Sequence, residues 1–173
     1  AFVAHHVVVD GYAVDRIQEE VLDTYARLAR GETVEPDLPP ISYLDYAAHQ
    51  RRCLVDEVIR PQLEHFRTKL EGLPPLLELP TDRPRPPRTR TEGDVVIVPL
   101  PSSTRSAVEE LARRHDLTPF MVLLAAFDVM LARYAGTTDV AVGTPIANRR
   151  DRASEALVGT LVNTLVLRTD LSG

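Results

Sequence analysis

The chain has 173 residues, 44% of them hydrophobic and 26% charged, the length and balance of a globular domain able to bury a core. A formal net charge of −5 argues against a general nucleic-acid binder. No run of about 18 or more uninterrupted apolar residues suggests a membrane span. There is no charged-then-apolar leader, and Cys53 is the only cysteine. Together these point to a cytoplasmic, reducing compartment.

The chain opens on AFVAHHVVVDG, and residues 1–9 predict a strand buried on both faces, broken by Asp10-Gly11. From Tyr12 the period changes. Val14, Ile17, Val21, Tyr25 and Leu28 fall three or four apart, which predicts one helical stripe that Gly31 would end. After a loop with Pro36, Pro39 and Pro40, a second helical stretch is expected from about Tyr43 to Leu70, interrupted near Pro61.

Residues 73–93, LPPLLELPTDRPRPPRTRTEG, hold six of the fourteen prolines and four arginines. Prolines at this density stiffen the chain and mark an internal boundary. The arginines read either as a solvated linker or as a binding patch.

Asp94 to Leu100 predicts a short buried strand. Ser102 or Ser103 would cap a helix with Val108, Leu111 and Ala112 on its inner face. Thr118-Pro119 signals the start of a nearly all-apolar core helix that runs through Tyr134 and ends at Gly136. Strands are expected over Asp139–Ala147 and Thr160–Arg168. Helices alternating with strands predict an α/β class, with helices layered on a mixed sheet. Because the chain opens and closes on apolar strand-like runs, it reads as a fragment.

The chemistry concentrates at His5, His6 and Asp10. Neighbouring side chains on a strand point to opposite faces, so the two histidines could not ligate one metal, and one cysteine completes no zinc set; no metal site is expected. A histidine four residues before an Asp-Gly turn can take a proton near neutral pH, which suits attack of an amine or alcohol on an acyl group. On spacing alone the plainer reading, two partly buried core histidines and a turn aspartate, is favoured, because His-x-x-x-Asp is a short pattern.

Further segments widen the pattern. HHVVVDG resembles the HHxxxDG motif of nonribosomal peptide synthetase condensation domains, and YLDYAAHQ from Tyr43 is similar to their YxDYAxWQ block. LELPTDRPRP resembles their interlobe connection, and Thr118 to Arg149 looks like the start of their second lobe. VGTLVNTLVLR from Val158 is similar to their (I/V)GxFVNTxxLR block. His49 stands where the family usually has tryptophan, and Thr160-Leu161 where it often has phenylalanine.

The resemblance implies a partial fold of two chloramphenicol acetyltransferase-like lobes. Residues 1–75 would be the end of the first lobe, 76–93 the connection and 94–173 the front of the second. It implies that His6 is catalytic, that His5, Asp10 and Gly11 shape the site, and that Arg149 is the ion-pair partner of Asp10. Gly11 would supply the turn and a close backbone approach to substrate. Asn163 is either a cleft-lining residue or a buried structural amide. The implied reaction joins a donor acyl or peptidyl thioester to an acceptor aminoacyl thioester. Both would arrive on phosphopantetheine arms of carrier proteins, beside an adenylation domain, with no cofactor bound directly. An HxxxD acyltransferase with an alcohol acceptor and a non-catalytic carrier-docking module are the alternatives. The isolated fragment is expected to be inactive.

Overall fold

The computed structural model describes residues 1–36, 38–84 and 93–173. Its elements in chain order are α1 (Gly11–Ala29), α2 (Tyr43–Cys53), α3 (Asp56–Lys69), α4 (Ser102–Arg114), α5 (Pro119–Ala135), β1 (Asp139–Ile146), α6 (Arg152–Glu155) and β2 (Asn163–Asp170). β1 and β2 form a two-stranded sheet. The pairing is antiparallel: Leu171 N donates to Thr138 O, while Arg168, earlier in the chain, reaches Asp139, which is later.

The chain folds as two compact units, one made of residues 1–69 and 143–165, the other of 70–142 and 166–173. In the first, the buried residues are Val9, Asp10, Ala13, Ser154, Leu157, Gly159 and Leu161. Asp10 caps α1 by accepting from Ala13 N at 2.9 Å, so the helix starts where a carboxylate meets its unpaired amides. The turn after α1 holds Gly31 at φ 77°, a left-handed conformation that glycine adopts without Cβ strain. Ser42 and Asp45 form a reciprocal capping box at the start of α2.

In the second unit, α4 packs on α5, and Ala112, Asp128, Leu131 and Val140 are buried. Thr118 caps α5 through Met121 N, with Pro119 in the first turn, and Gly136 ends the helix in the left-handed region. Arg168 clamps the sheet, donating to both carboxylate oxygens of Asp139 at 2.8 and 2.6 Å and to Glu71 O at 2.8 Å. Buried Asp128 accepts from Thr169 Oγ1 at 2.7 Å.

Several expected elements differ. Residues 1–9 are not a strand. Val8 N and Val7 N turn back onto His5, on its carbonyl and its ring, and these bonds compete with a ladder. Residues 94–100 likewise form no strand and have no ladder partners among the described residues, and Val95 to Val98 are exposed. The second helical stretch breaks at Leu54-Val55 rather than near Pro61, which lies inside α3. Pro61 removes one interior hydrogen bond there, while α2 closes on Leu54 N to Gln50 O and Val55 O starts the next helix. Neither Ser102 nor Ser103 caps α4; its cap is Pro101, whose carbonyl accepts from Thr104 N and Arg105 N.

The expected inner stripes are also partly open. Val21, Tyr25 and Leu28 of α1 and Leu111 of α4 are exposed, as are Phe120, Met121 and Phe127 of the apolar helix α5. Among the described residues no single helix is long and apolar enough to cross a membrane; α4 and α5 pass that test only together and are bent by 107° at their junction. Residues 85–92 of the proline- and arginine-rich connection lie outside the described residues.

Candidate active site

Within the first unit, the segment that follows the two histidines is anchored by Asp10. Its carboxylate is 3% exposed and carries five hydrogen bonds. Oδ1 accepts from Ala13 N and from Arg149 Nη2 at 3.2 Å. Oδ2 accepts from Arg149 Nη1 at 2.9 Å, Leu161 N at 2.9 Å and Val162 N at 3.1 Å. A buried carboxylate is costly unless its lone pairs are taken up, and here they are. Burial pushes the Asp10 carboxyl upward, but the Arg149 guanidinium and the amides of Ala13 and Leu161 outweigh it, so its pKa falls from 3.8 to about 2.

Arg149 is as well held, with its side chain 1% exposed. Besides Asp10 it donates to the carbonyls of Ala147, Leu157 and Gly159, at 3.3, 3.4 and 3.2 Å. Its guanidinium lies over the Tyr12 ring, 4.5 Å from the centroid. Only its Nε lacks a partner among the described residues. The planar fork of arginine suits this bidentate, stacked position as a lysine would not.

These contacts explain why β2 begins at Asn163 and not at Thr160 as the sequence pattern suggests. Five backbone groups of residues 157–162 are committed elsewhere: two carbonyls to Arg149, two amides to Asp10, and Thr160 O to the Tyr43 hydroxyl at 2.9 Å. They are therefore satisfied without a strand partner.

His6 lines a hollow of about 380 Å³ with Asp10, Gly11, Tyr12, Pro145, Ile146, Ala147 and Val162. The His6 residue is exposed, so its imidazole is open to an incoming group. His5 is held differently: its Nδ1 accepts from Val7 N at 3.1 Å, which puts the proton of the neutral ring on Nε2. A larger hollow, about 530 Å³, is lined by Arg16, Glu19, Glu20, Asp23 and Glu35 among others. It holds charges of both signs but no histidine, whereas the smaller one carries His6.

Gly11 requires a correction: it is not a turn residue. It is the first residue of α1, its φ is not positive, and an added Cβ would meet no atom of the described residues within 4 Å. The reversal expected there is made instead at residues 5–8. Asn163 is exposed and lines a different hollow, of about 180 Å³, with Tyr43, Tyr46, Gln50, Asn148 and Thr160; its Oδ1 accepts from Thr164 N. Among the described residues no three histidine, cysteine, aspartate or glutamate side chains gather as metal ligands.

Sequence reasoning missed Tyr12, Tyr43 and Thr160. Tyr12 follows the motif directly, and its stacking on an arginine 137 positions away leaves no local signal. Tyr43 and Thr160 were visible only as members of separate sequence blocks.

The condensation-domain family model matches residues 1–173. A linear gramicidin synthase from Brevibacillus parabrevis is 43% identical over 169 residues, covering 98% of this chain and 2% of that protein. Among solved structures, the SgcC5 protein from Streptomyces globisporus is 32% identical with a TM-score of 0.75, over 98% of this chain and 38% of that one. A holo four-domain nonribosomal peptide synthetase bound to AMP and glycine shares the fold at a TM-score of 0.84 and 24% identity, over 97% of this chain and 12% of its own. The chain thus spans a small part of the proteins it matches, and it belongs to the condensation-domain family.

Proposed function

We propose that this chain supplies the amide-forming site of a nonribosomal peptide synthetase, with His6 as its catalytic residue. In this reading residues 1–75 end the first lobe, 76–93 connect the lobes, and 94–173 begin the second. The observation that carries it is the exposed imidazole of His6 on a hollow whose other wall is fixed by the Asp10–Arg149 pair.

The substrates are a donor acyl or peptidyl thioester and an acceptor aminoacyl thioester, each on the phosphopantetheine arm of a carrier protein, with an adenylation domain nearby. The acceptor amine attacks the donor carbonyl; a C–N bond forms, the C–S bond breaks, and the thiol leaves with a proton. Aligning two tethered reactants is worth roughly 7–11 kcal/mol of barrier. His6 takes the proton released by the attacking nitrogen, a contribution typically of about 10²–10⁴-fold. Asp10, Arg149 and His5 shape the site without touching the reacting atoms. Gly11, on the hollow's wall with open space where a Cβ would stand, leaves the substrate room to pass close to the backbone. The isolated 173 residues leave His6 open to water and are inactive alone.

A second reading has support of its own. The SgcC5 protein, 32% identical to this chain, was solved in complex with a naphthyl-substituted 1,2-ethanediol, so an alcohol acceptor is the competing chemistry. A complete condensation domain carrying these residues, given matched amine and alcohol acceptors with a carrier-bound donor, distinguishes them. Amide as the dominant product by mass spectrometry supports the reading. Ester as the dominant product replaces it with the alternative, and no product from either reduces the domain to carrier docking.

A further inference from the structure

The Thr160 hydroxyl donates to the backbone carbonyl of His6, joining two residues 154 positions apart. It is the one side-chain hydrogen bond described on the His6 backbone; the remaining constraints on this stretch come from the His5 turn, where Val8 N bonds His5 O and Val7 N bonds the His5 ring. Thr160 is itself fixed. Its carbonyl accepts from the Tyr43 phenol at 2.9 Å, and its chain neighbours are pinned on both sides, Gly159 O by Arg149 and Leu161 N by Asp10. Tyr43 sits on Gly159 so closely that a Cβ there would overlap its ring.

A histidine on an irregular, exposed segment has no ladder to set its backbone angles, and the backbone sets where the ring points. A hydroxyl carried on a clamped segment replaces that missing ladder. We infer that Thr160 is a positioning residue for His6, holding its backbone so that the imidazole faces the hollow, with Tyr43 holding Thr160 in turn. This rests on the reading of His6 as catalytic. It adds a role for a residue at the open position of the (I/V)GxFVNT block.

The test uses the complete condensation domain with carrier-bound substrates. Thr160→Val keeps the shape and removes the hydroxyl, whereas Thr160→Ser keeps the hydroxyl. The expected result is a kcat about tenfold lower for Thr160→Val, with acceptor KM within about twofold, and recovery to within about threefold in Thr160→Ser. The ring signals of 13C-labelled His6 should move in the valine variant and return in the serine variant. Should either variant unfold, Tyr43→Phe, which frees the Thr160 carbonyl but leaves its hydroxyl, should give a smaller fall in kcat and a smaller movement of the same signals. Wild-type turnover and unmoved His6 signals in Thr160→Val overturn the inference. A wild-type domain that forms no amide overturns the underlying reading instead.

Discussion

Asp10 and Arg149, 139 positions apart in sequence, form a two-pronged ion pair in which neither side chain is more than 3% exposed. The pair fastens the start of α1 to residues 157–162, so the motif that carries His6 is anchored by a contact no local sequence pattern could supply.

Removing one partner leaves the other charge buried and alone. Asp10→Ala is expected to destabilise by about 3–5 kcal/mol, since an uncompensated buried guanidinium is the costly product of a broken pair. It also strands the amides of Ala13, Leu161 and Val162. Chemical denaturation of the variant measures this. A fold as stable as wild type, combined with lost turnover, would mean that Asp10 acts in the chemistry and not in the scaffold.

The same carboxylate gives the protein an acid limit. Its pKa is lowered from 3.8 to about 2, so the folded state prefers it ionised. The stabilisation is fully present above pH 4, and it is lost as pH falls towards 2; its size is roughly 2 kcal/mol. Asp10→Asn removes this linkage. The stability difference between wild type and Asp10→Asn should therefore shrink as pH drops from about 4 to 2. A difference constant over that range contradicts the assignment.

Gly159 is constrained by its neighbour and not by its own backbone angles. A Cβ there would overlap Tyr43 Cδ2 and Cε2, forcing the ring off Gly159 and its hydroxyl off Thr160 O. Gly159→Ala is expected to lower stability by about 1–3 kcal/mol. Combining it with Tyr43→Ser should cost less than the two single changes added together. Strict additivity in thermal melts would separate the two residues.

How legible this was from sequence depends on where each residue's partners lie. The α1 and α5 boundaries could be read because their signals are local: the first run breaks at Asp10-Gly11, Thr118 caps, Pro119 starts, Gly31 and Gly136 stop. The apolar runs at 1–9 and 94–100 were misread because a strand exists only through its ladder, and composition cannot say whether a neighbour is present. The Asp10–Arg149 contact was anticipated through family resemblance, not from spacing. Thr160 on His6 and Tyr12 under Arg149 were not anticipated, since both are long-range contacts made by ordinary residues.

The central claim is that one imidazole performs the chemistry. The most direct measurement is single-turnover amide formation by the complete domain with His6→Ala, using carrier-bound donor and acceptor and checking by thermal melt that the fold is retained. Loss of at least about 100-fold with an unchanged melting temperature is expected. A folded variant that condenses at close to the wild-type rate contradicts the account.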